Sequence, residues 1–283
     1  MIVDTHVHVV SHDEEQYPLR PLGVAGSGWH DVIRISGDEL LTMMGSAGVD
    51  SAVLVQAMSA YQDDNRYTAE TARKNPSRFT SVGVVDVLQP DPIGRLEDWV
   101  HNFGVRGVRM SGLQNTGFLS PDDTRFQAPV ARAHALGIPV VLFATSAQLP
   151  AVKKALEAAP AVPTVLDHCG FPIPEEGPAT GRDEPLLALA CFENLYLKVT
   201  TRTLAPIEAA GQDPQAWLAR LADAFGTHRL MWGSDFPASH DRNYAEHVAF
   251  ARRCIEGFDS AEQERFLSGT ALEVWPELGP HSG

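Results

Sequence analysis

Basic residues are scarce in this chain: 22 Lys and Arg stand against 36 Asp and Glu, a formal net charge of -14. No cluster of Lys and Arg of the kind that tracks phosphates occurs, so nucleic acid is not an expected partner. A few local arginines would still suffice for a small anionic substrate. Cysteine is equally sparse. Cys169, Cys191 and Cys254 are odd in number and lack a CxxC spacing, which excludes a disulfide framework. No apolar run approaches the length of a bilayer, and no charged leader with an apolar core precedes "MIVDTH". A soluble, cytoplasmic protein with no membrane partner is expected. A Gly-rich phosphate loop is also missing after the first apolar run, which argues against a nucleotide ligand.

What the chain does have is rhythm. Eight apolar β-type runs recur: "IVDTHVHV", "SAVLVQA", "SVGVVD", "VRGVRMS", "IPVVLFA", "PTVLDHCG", "LYLKVT" and "RLMWGSD". Between most of them lie stretches with a 3.6-residue apolar period and helix start signals. Ser36 and Glu39 have capping-box spacing before "LLTMM", and "DPIGRLEDWVHNFG" carries Pro in its first turn. Strict alternation of strand and helix implies a parallel sheet. Eight such units in 283 residues fit an α/β fold closed as one (β/α)8 TIM barrel, residues 1–283 forming a single domain. The irregular stretch from Ser11 to Ile35 is expected to lie as a loop over the barrel mouth.

His6 and His8 form a His-x-His pair on the first run. On a regular strand alternate side chains share a face, so the pair would sit with Ile2 and Asp4, the imidazoles about 7 Å apart. They could clamp a metal or a polarised substrate, or serve only as hydrogen-bonded histidines. The other runs weigh on this choice. In such barrels catalytic groups stand at the C-terminal strand ends. There the sequence places Gln56 and Ser59 (second run), Arg109 and Ser111 (fourth), Asp167 and His168 (sixth), Lys198, Thr200 and Arg202 (seventh) and Asp235 (eighth). Such residues are poor choices for a plain hydrophobic interior.

These motifs resemble the amidohydrolase superfamily, in its amidohydrolase 2 branch. The carriers are "DTHVH", "LDHCG" and "MWGSDFP", and the likeness spans nearly the whole chain. "VLVQAMSAYQDDN", "GVRGVRMS", "LYLKVT" and "SGTALEVWP" are further similar to the lactonase subgroup that includes 2-pyrone-4,6-dicarboxylate lactonase. The resemblance implies that Asp235 is the general base for an attacking water. It implies that His6, His8 and His168 polarise the scissile carbonyl, through a divalent cation or by hydrogen bonding. Arg109 and Arg202 would hold a substrate carboxylate through their planar forks, with Gln56 and Ser59 as further substrate contacts; His240 is a candidate contact from its place in the loop after Asp235. Gln56 has the alternative of capping its own strand end, Arg202 that of a solvated loop charge, and Arg109 that of pairing with Asp167 or Asp235.

Two departures from the family pattern shape the expected chemistry. Metal-loaded members carry another His at the end of strand five, where this chain has Leu142 and Phe143. His6, His8 and Asp235, with or without His168, could still hold one zinc or manganese. A single bound metal is the expectation, with metal-independent catalysis as its alternative. The second departure is Phe171, standing where the pyrone-dicarboxylate enzymes place an arginine, while "SGLQNTGFLS" lacks another. Each lost charge-assisted contact is worth roughly 1.5–3 kcal/mol, so a less anionic, more apolar substrate follows. Trp29, Phe118, Phe171 and Phe236 are candidates to line its pocket. The expected activity is a hydrolase opening a lactone or related cyclic ester, or an amide. The alternative is a metal-dependent decarboxylase or hydratase acting on an aromatic-acid-derived substrate. A homo-oligomer is compatible with this reading, although no stripe identifies an interface.

Overall fold

The computed structural model describes residues 1–22, 28–114, 117–172 and 184–279; the side chains of 113, 114, 117 and 118 are outside the description. Eight strands run in sequence order through one parallel sheet: β1 (Val3–Val7), β2 (Ser51–Val55), β3 (Phe79–Asp86), β4 (Gly107–Ser111), β5 (Val140–Leu142), β6 (Thr164–Leu166), β7 (Leu195–Thr200) and β8 (Leu230–Gly233). The sheet closes where β8 returns to β1. Asp235 N donates to His6 O at 2.8 Å, His8 N donates to Phe236 O at 2.8 Å, and Val7 bridges Phe236. This is the expected (β/α)8 TIM barrel.

Alternation sorts the side chains. On β7, Leu195, Leu197 and Val199 face the helices; on β8, Leu230 and Trp232 do the same. Val3, Val53, Val55, Val82, Val141, Val165 and Met231 fill the lower barrel, where Ala271, Trp275 and Leu278 close it from below. The inward Lys198, whose ammonium lies 5.3 Å over the Trp275 ring, stands on this apolar floor. The upper half is left to polar groups. Local signals formed the outer layer as read: Ser36 and Glu39 complete a capping box on helix Gly37–Ala47, and Asp91 caps helix Pro92–His101. No helix among the described residues is long and apolar enough to cross a membrane. All three cysteines are free.

Two strand ends break the regular pattern, and both feed the site. Between Asp4 and Val7 the pairing of β1 with β2 slips, three steps on β1 against two on β2. Such a bulge reverses side-chain parity. Ile2 packs in the outer core and Asp4 bonds Tyr244 of the outer helix Tyr244–Cys254, whereas His6 turns to the interior. The shared face expected for Ile2, Asp4, His6 and His8 is therefore corrected. At the end of β6, His168, Cys169, Gly170 and Phe171 all have positive φ, from 52° to 70°. A left-handed turn follows the strand, and it lets Asp167 and His168 face the same interior although they are adjacent in sequence.

Gly233 shows how tightly the closure is packed. A Cβ there would lie 2.8 Å from His6 Cβ and 3.1 Å from its backbone N. Gly233→Ala is expected to lower stability by about 1–3 kcal/mol, read as a fall in the urea midpoint, because β8 must move off β1.

Candidate active site

The centre of the site is one carboxylate oxygen. Asp235 Oδ1 lies 3.4 Å from His8 Nε2, 3.6 Å from His6 Nε2 and 3.9 Å from His168 Nε2. Its other oxygen, Oδ2, accepts the Ser239 hydroxyl at 2.9 Å and lies 3.5 Å from Arg202 Nη1. Asp235 itself has φ 59°, a strained conformation for a residue with a Cβ, of the kind concentrated at functional sites. Four side chains from β1 and the ends of β6 and β8, far apart in sequence, thus converge at the upper rim.

Hydrogen bonds on the far side of each ring fix which nitrogens face the acid. His8 Nδ1 lies 2.8 Å from the Val55 carbonyl, which can only accept, so Nδ1 carries the proton. His6 Nδ1 lies 3.2 Å from Asp167 Oδ1, again an acceptor. When these rings are neutral, both Nε2 atoms therefore offer lone pairs to Asp235, and His6 Nε2 is buried with no hydrogen-bond partner among the described residues. His168 Nδ1 meets the Thr200 hydroxyl at 2.8 Å. Burial lowers the pKa of His6 well below the ordinary imidazole range and that of His168 to about 4. Burial alone would raise Asp235, but a positive charge on His168, His8 or His6 outweighs it, so that any proton taken up by the rings favours the ionised carboxylate.

Asp167 is the keystone beneath this set. It is fully buried, with His6 Nδ1 and Lys198 Nζ (3.3 Å) at Oδ1 and Arg109 Nη2 at Oδ2. Burial would raise its pKa, yet Lys198 and Arg109 hold it well below the carboxylate range. Asp167 and Lys198 were visible as strand-end polar residues, but nothing in the sequence singled them out as one buried ion cluster. Their signal was parity: both fall on inward positions of their strands.

The remaining sequence candidates divide. Arg202, 47% exposed in the first turn of helix Thr201–Ala209, lies over the Phe171 ring at 5.4 Å and beside Asp235. Phe171 in turn packs on His168, with centroids 4.8 Å apart, and Trp29 stacks on His8 at 5.4 Å. Phe143, at the fifth strand's end, packs against both Phe171 and His168. Arg109 places Nη2 on Asp167 Oδ2, the pairing that the sequence left open as an alternative to a carboxylate fork. Gln56 likewise belongs to its own loop: its amide donates to the Gln62 and Asp64 carbonyls and accepts from Thr68 Oγ1. Ser59 lies in helix Met58–Tyr61, where its carbonyl pins Leu22 of the loop after β1. His240 is exposed on a surface cleft of about 570 Å³ with Thr42, Met43 and Asn243. Phe236 is directed away from the pocket, packed on Tyr244 and His247. The Phe118 side chain lies outside the described residues. His30 and His247 are also buried; His247 joins the Thr201 hydroxyl to the Ser239 carbonyl.

The depressed pKa of His168 makes stability pH-dependent. An unfolded imidazole takes up its proton near pH 6.5, the folded one only near pH 4. Stability is thus fully present above pH 6.5 and falls as the pH drops towards 4, by about 3 kcal/mol for this group. Urea midpoints of chelator-treated protein between pH 7 and 4 should show the loss, and His168→Asn should remove this group's share of it while that of His6 remains.

Comparison with known proteins gives the chain its fold and family. L-fucono-1,5-lactonase of Burkholderia ambifaria is 25% identical over 254 residues, covering 84% of this chain and 83% of that one. An amidohydrolase of Burkholderia multivorans, solved with bound zinc, superposes with a TM-score of 0.75 at 24% identity, over 98% of this chain and 99% of its own. A putative 2-pyrone-4,6-dicarboxylic acid hydrolase of Pseudomonas putida gives 0.75 at 22%, over 99% and 98%. At these identities the two structures establish the fold alone. The family model described as amidohydrolase matches residues 3–276, nearly the whole chain, and the chain therefore belongs to the amidohydrolase family.

Proposed function

We propose that this hydrolase opens a lactone or related cyclic ester of a small carboxylic acid, with Asp235 as general base. The observation that carries the reading is the convergence of His6, His8 and His168 Nε2 on a single ionised carboxylate oxygen. Lactonase-named relatives support the ester class, and the zinc-bound neighbour supports a metal.

The donor set fits a divalent cation. Ligand atoms of His6, His8 and Asp235 lie within 4.8 Å of one another, and two of them are lone pairs turned towards a carboxylate. Such an arrangement is electrostatically incomplete without a proton or a cation between them. His6, His8 and Asp235 would hold the ion, zinc or manganese, with His168 beside it. Bound there, it supplies Lewis-acid polarisation of the ester carbonyl.

The chain's own groups do the rest. Asp235 Oδ1 accepts a proton from water as the water oxygen bonds to the carbonyl carbon. The ring C–O bond then breaks, and the proton passes from Asp235 to the departing alkoxide, leaving a hydroxy acid. Asp167 keeps His6 in its Nδ1–H tautomer throughout. Arg202 stands beside Asp235, where its fork can receive the carboxylate as it forms. Trp29, Phe143 and Phe171 present aromatic faces around the imidazoles, suited to an apolar or unsaturated ring.

A pH-stat screen of lactones, run beside elemental analysis, tests the reading. Acid release on at least one lactone class, diminished by chelation and restored by zinc or manganese, is expected. Evolution of carbon dioxide from an aromatic acid, with no acid release from any lactone, would overturn it in favour of a decarboxylase.

A further inference from the structure

We propose that Asp4 is a positioning residue for catalysis, its buried carboxylate holding His6 and Asp235 in one fixed relation through Ser234 and Tyr244. This deepens the hydrolytic reading and rests on it for its kinetic test. Asp4 reaches no solvent and faces the helical layer, so it cannot touch substrate. Its two oxygens nevertheless collect four donors from three parts of the chain. Oδ1 accepts the backbone N–H of His6 at 3.1 Å and of Ser234 at 2.9 Å. Oδ2 accepts the Ser234 hydroxyl at 2.6 Å and the Tyr244 hydroxyl at 3.0 Å.

The bulge explains why such a group is needed. Inserting a residue into β1 takes one amide out of the strand ladder. A buried N–H left unpaired costs about 1–3 kcal/mol, and Asp4 satisfies that of His6 from within the bulge. The same oxygen binds the amide immediately before the general base. Asp235 N then donates to His6 O at 2.8 Å, which closes a short circuit from acid to imidazole and back. Both sides of the reacting set are therefore referenced to one carboxylate. Tyr244, the first residue of helix Tyr244–Cys254, anchors that carboxylate to the outer layer. Slackening here moves His6 against Asp235 while leaving the Arg202 and aromatic contacts to substrate alone. Misplacement of a catalytic group by about 1 Å can cost on the order of 10²-fold in rate.

The test uses Asp4→Asn and Tyr244→Phe in the full chain, with two readouts. On whichever lactone the enzyme opens, Asp4→Asn should lower kcat about 10²-fold and Tyr244→Phe about 10-fold, with KM within about twofold, because substrate binding is untouched. Nitrogen NMR of the histidine side chains, which needs neither substrate nor metal, should show the His6 signals shifted or broadened in both variants. If Asp4→Asn does not fold, Tyr244→Phe decides alone. The inference is overturned if Tyr244→Phe keeps wild-type kcat and unshifted His6 signals, or if the fall in kcat merely matches the fall in folded fraction read by circular dichroism. Failure of the wild-type enzyme to open any lactone would sink the hydrolytic reading instead, and the NMR arm would still judge Asp4.

Discussion

Asp235→Asn is expected to lower kcat/KM about 10³-fold, within the range of about 10²–10⁴ for a positioned proton acceptor, while leaving the protein as stable as before or more so. The two effects share a cause. Asn has the shape of Asp and keeps the Ser239 contact at one end of its amide. It cannot take a proton from water. In the metal-free protein its NH2 can instead donate to the lone pair of His6 or His8 Nε2, which now faces a carboxylate at 3.6 or 3.4 Å. Removing a buried charge that faces ring lone pairs relieves an opposition that serves only catalysis. Steady-state kinetics on the lactone substrate and thermal melting of chelator-treated protein measure both halves. Retained activity would show that another group activates water; lost activity with a collapsed melting temperature would show that Asp235 is chiefly structural.

Asp167→Asn should act in the opposite sense, chiefly on stability. Lys198 and Arg109 are both buried, and each places a nitrogen on an Asp167 oxygen. Take away the charge and two cations remain in the barrel with no counter-ion at that point. Breaking a buried ion cluster in this way costs about 3–5 kcal/mol, whereas replacing it whole with apolar groups is often neutral. A drop in melting temperature of roughly 10 °C follows for a chain of this size. The double variant Asp167→Asn/Lys198→Met should recover part of it, since one stranded cation has gone. Melting curves of the single and double variants are the measurement, and an unchanged single variant would refute the account. Activity should also fall, because a neutral amide orients the His6 ring less firmly than a carboxylate does.

Much of this protein was legible before any coordinates. The count of apolar runs and the helical stretches between them led to eight strands in order around a barrel. The rule that polar strand ends gather at one rim led to a set of a dozen residues, and the family resemblance singled out His6, His8, His168 and Asp235 among them. The residues read least well were those whose role depends on what they meet. Arg109 could have held a substrate acid; that its charge is met by Asp167 follows from two strands being two places apart around the cylinder. Gln56 could have faced a ligand, but its amide is taken by the loop that its own strand enters. Phe236 follows the general base in sequence and was read as pocket lining, yet it points to the helices because one step along the chain reverses direction.

The alternation of apolar runs and helix signals determined by itself that this chain makes a parallel barrel and which residue types stand at its rim, since burial and hydrogen bonding within each unit are local requirements. Which way those residues point was decided only in three dimensions. The bulge after Asp4 turns the histidine pair inward, and the left-handed turn after Leu166 brings Asp167 and His168 into one interior. Neither irregularity is favoured by the backbone on its own. Each is held by contacts distant in sequence, Asp4 with Ser234 and Tyr244, and Asp167 with Arg109 and Lys198, and such contacts exist only once the cylinder has closed.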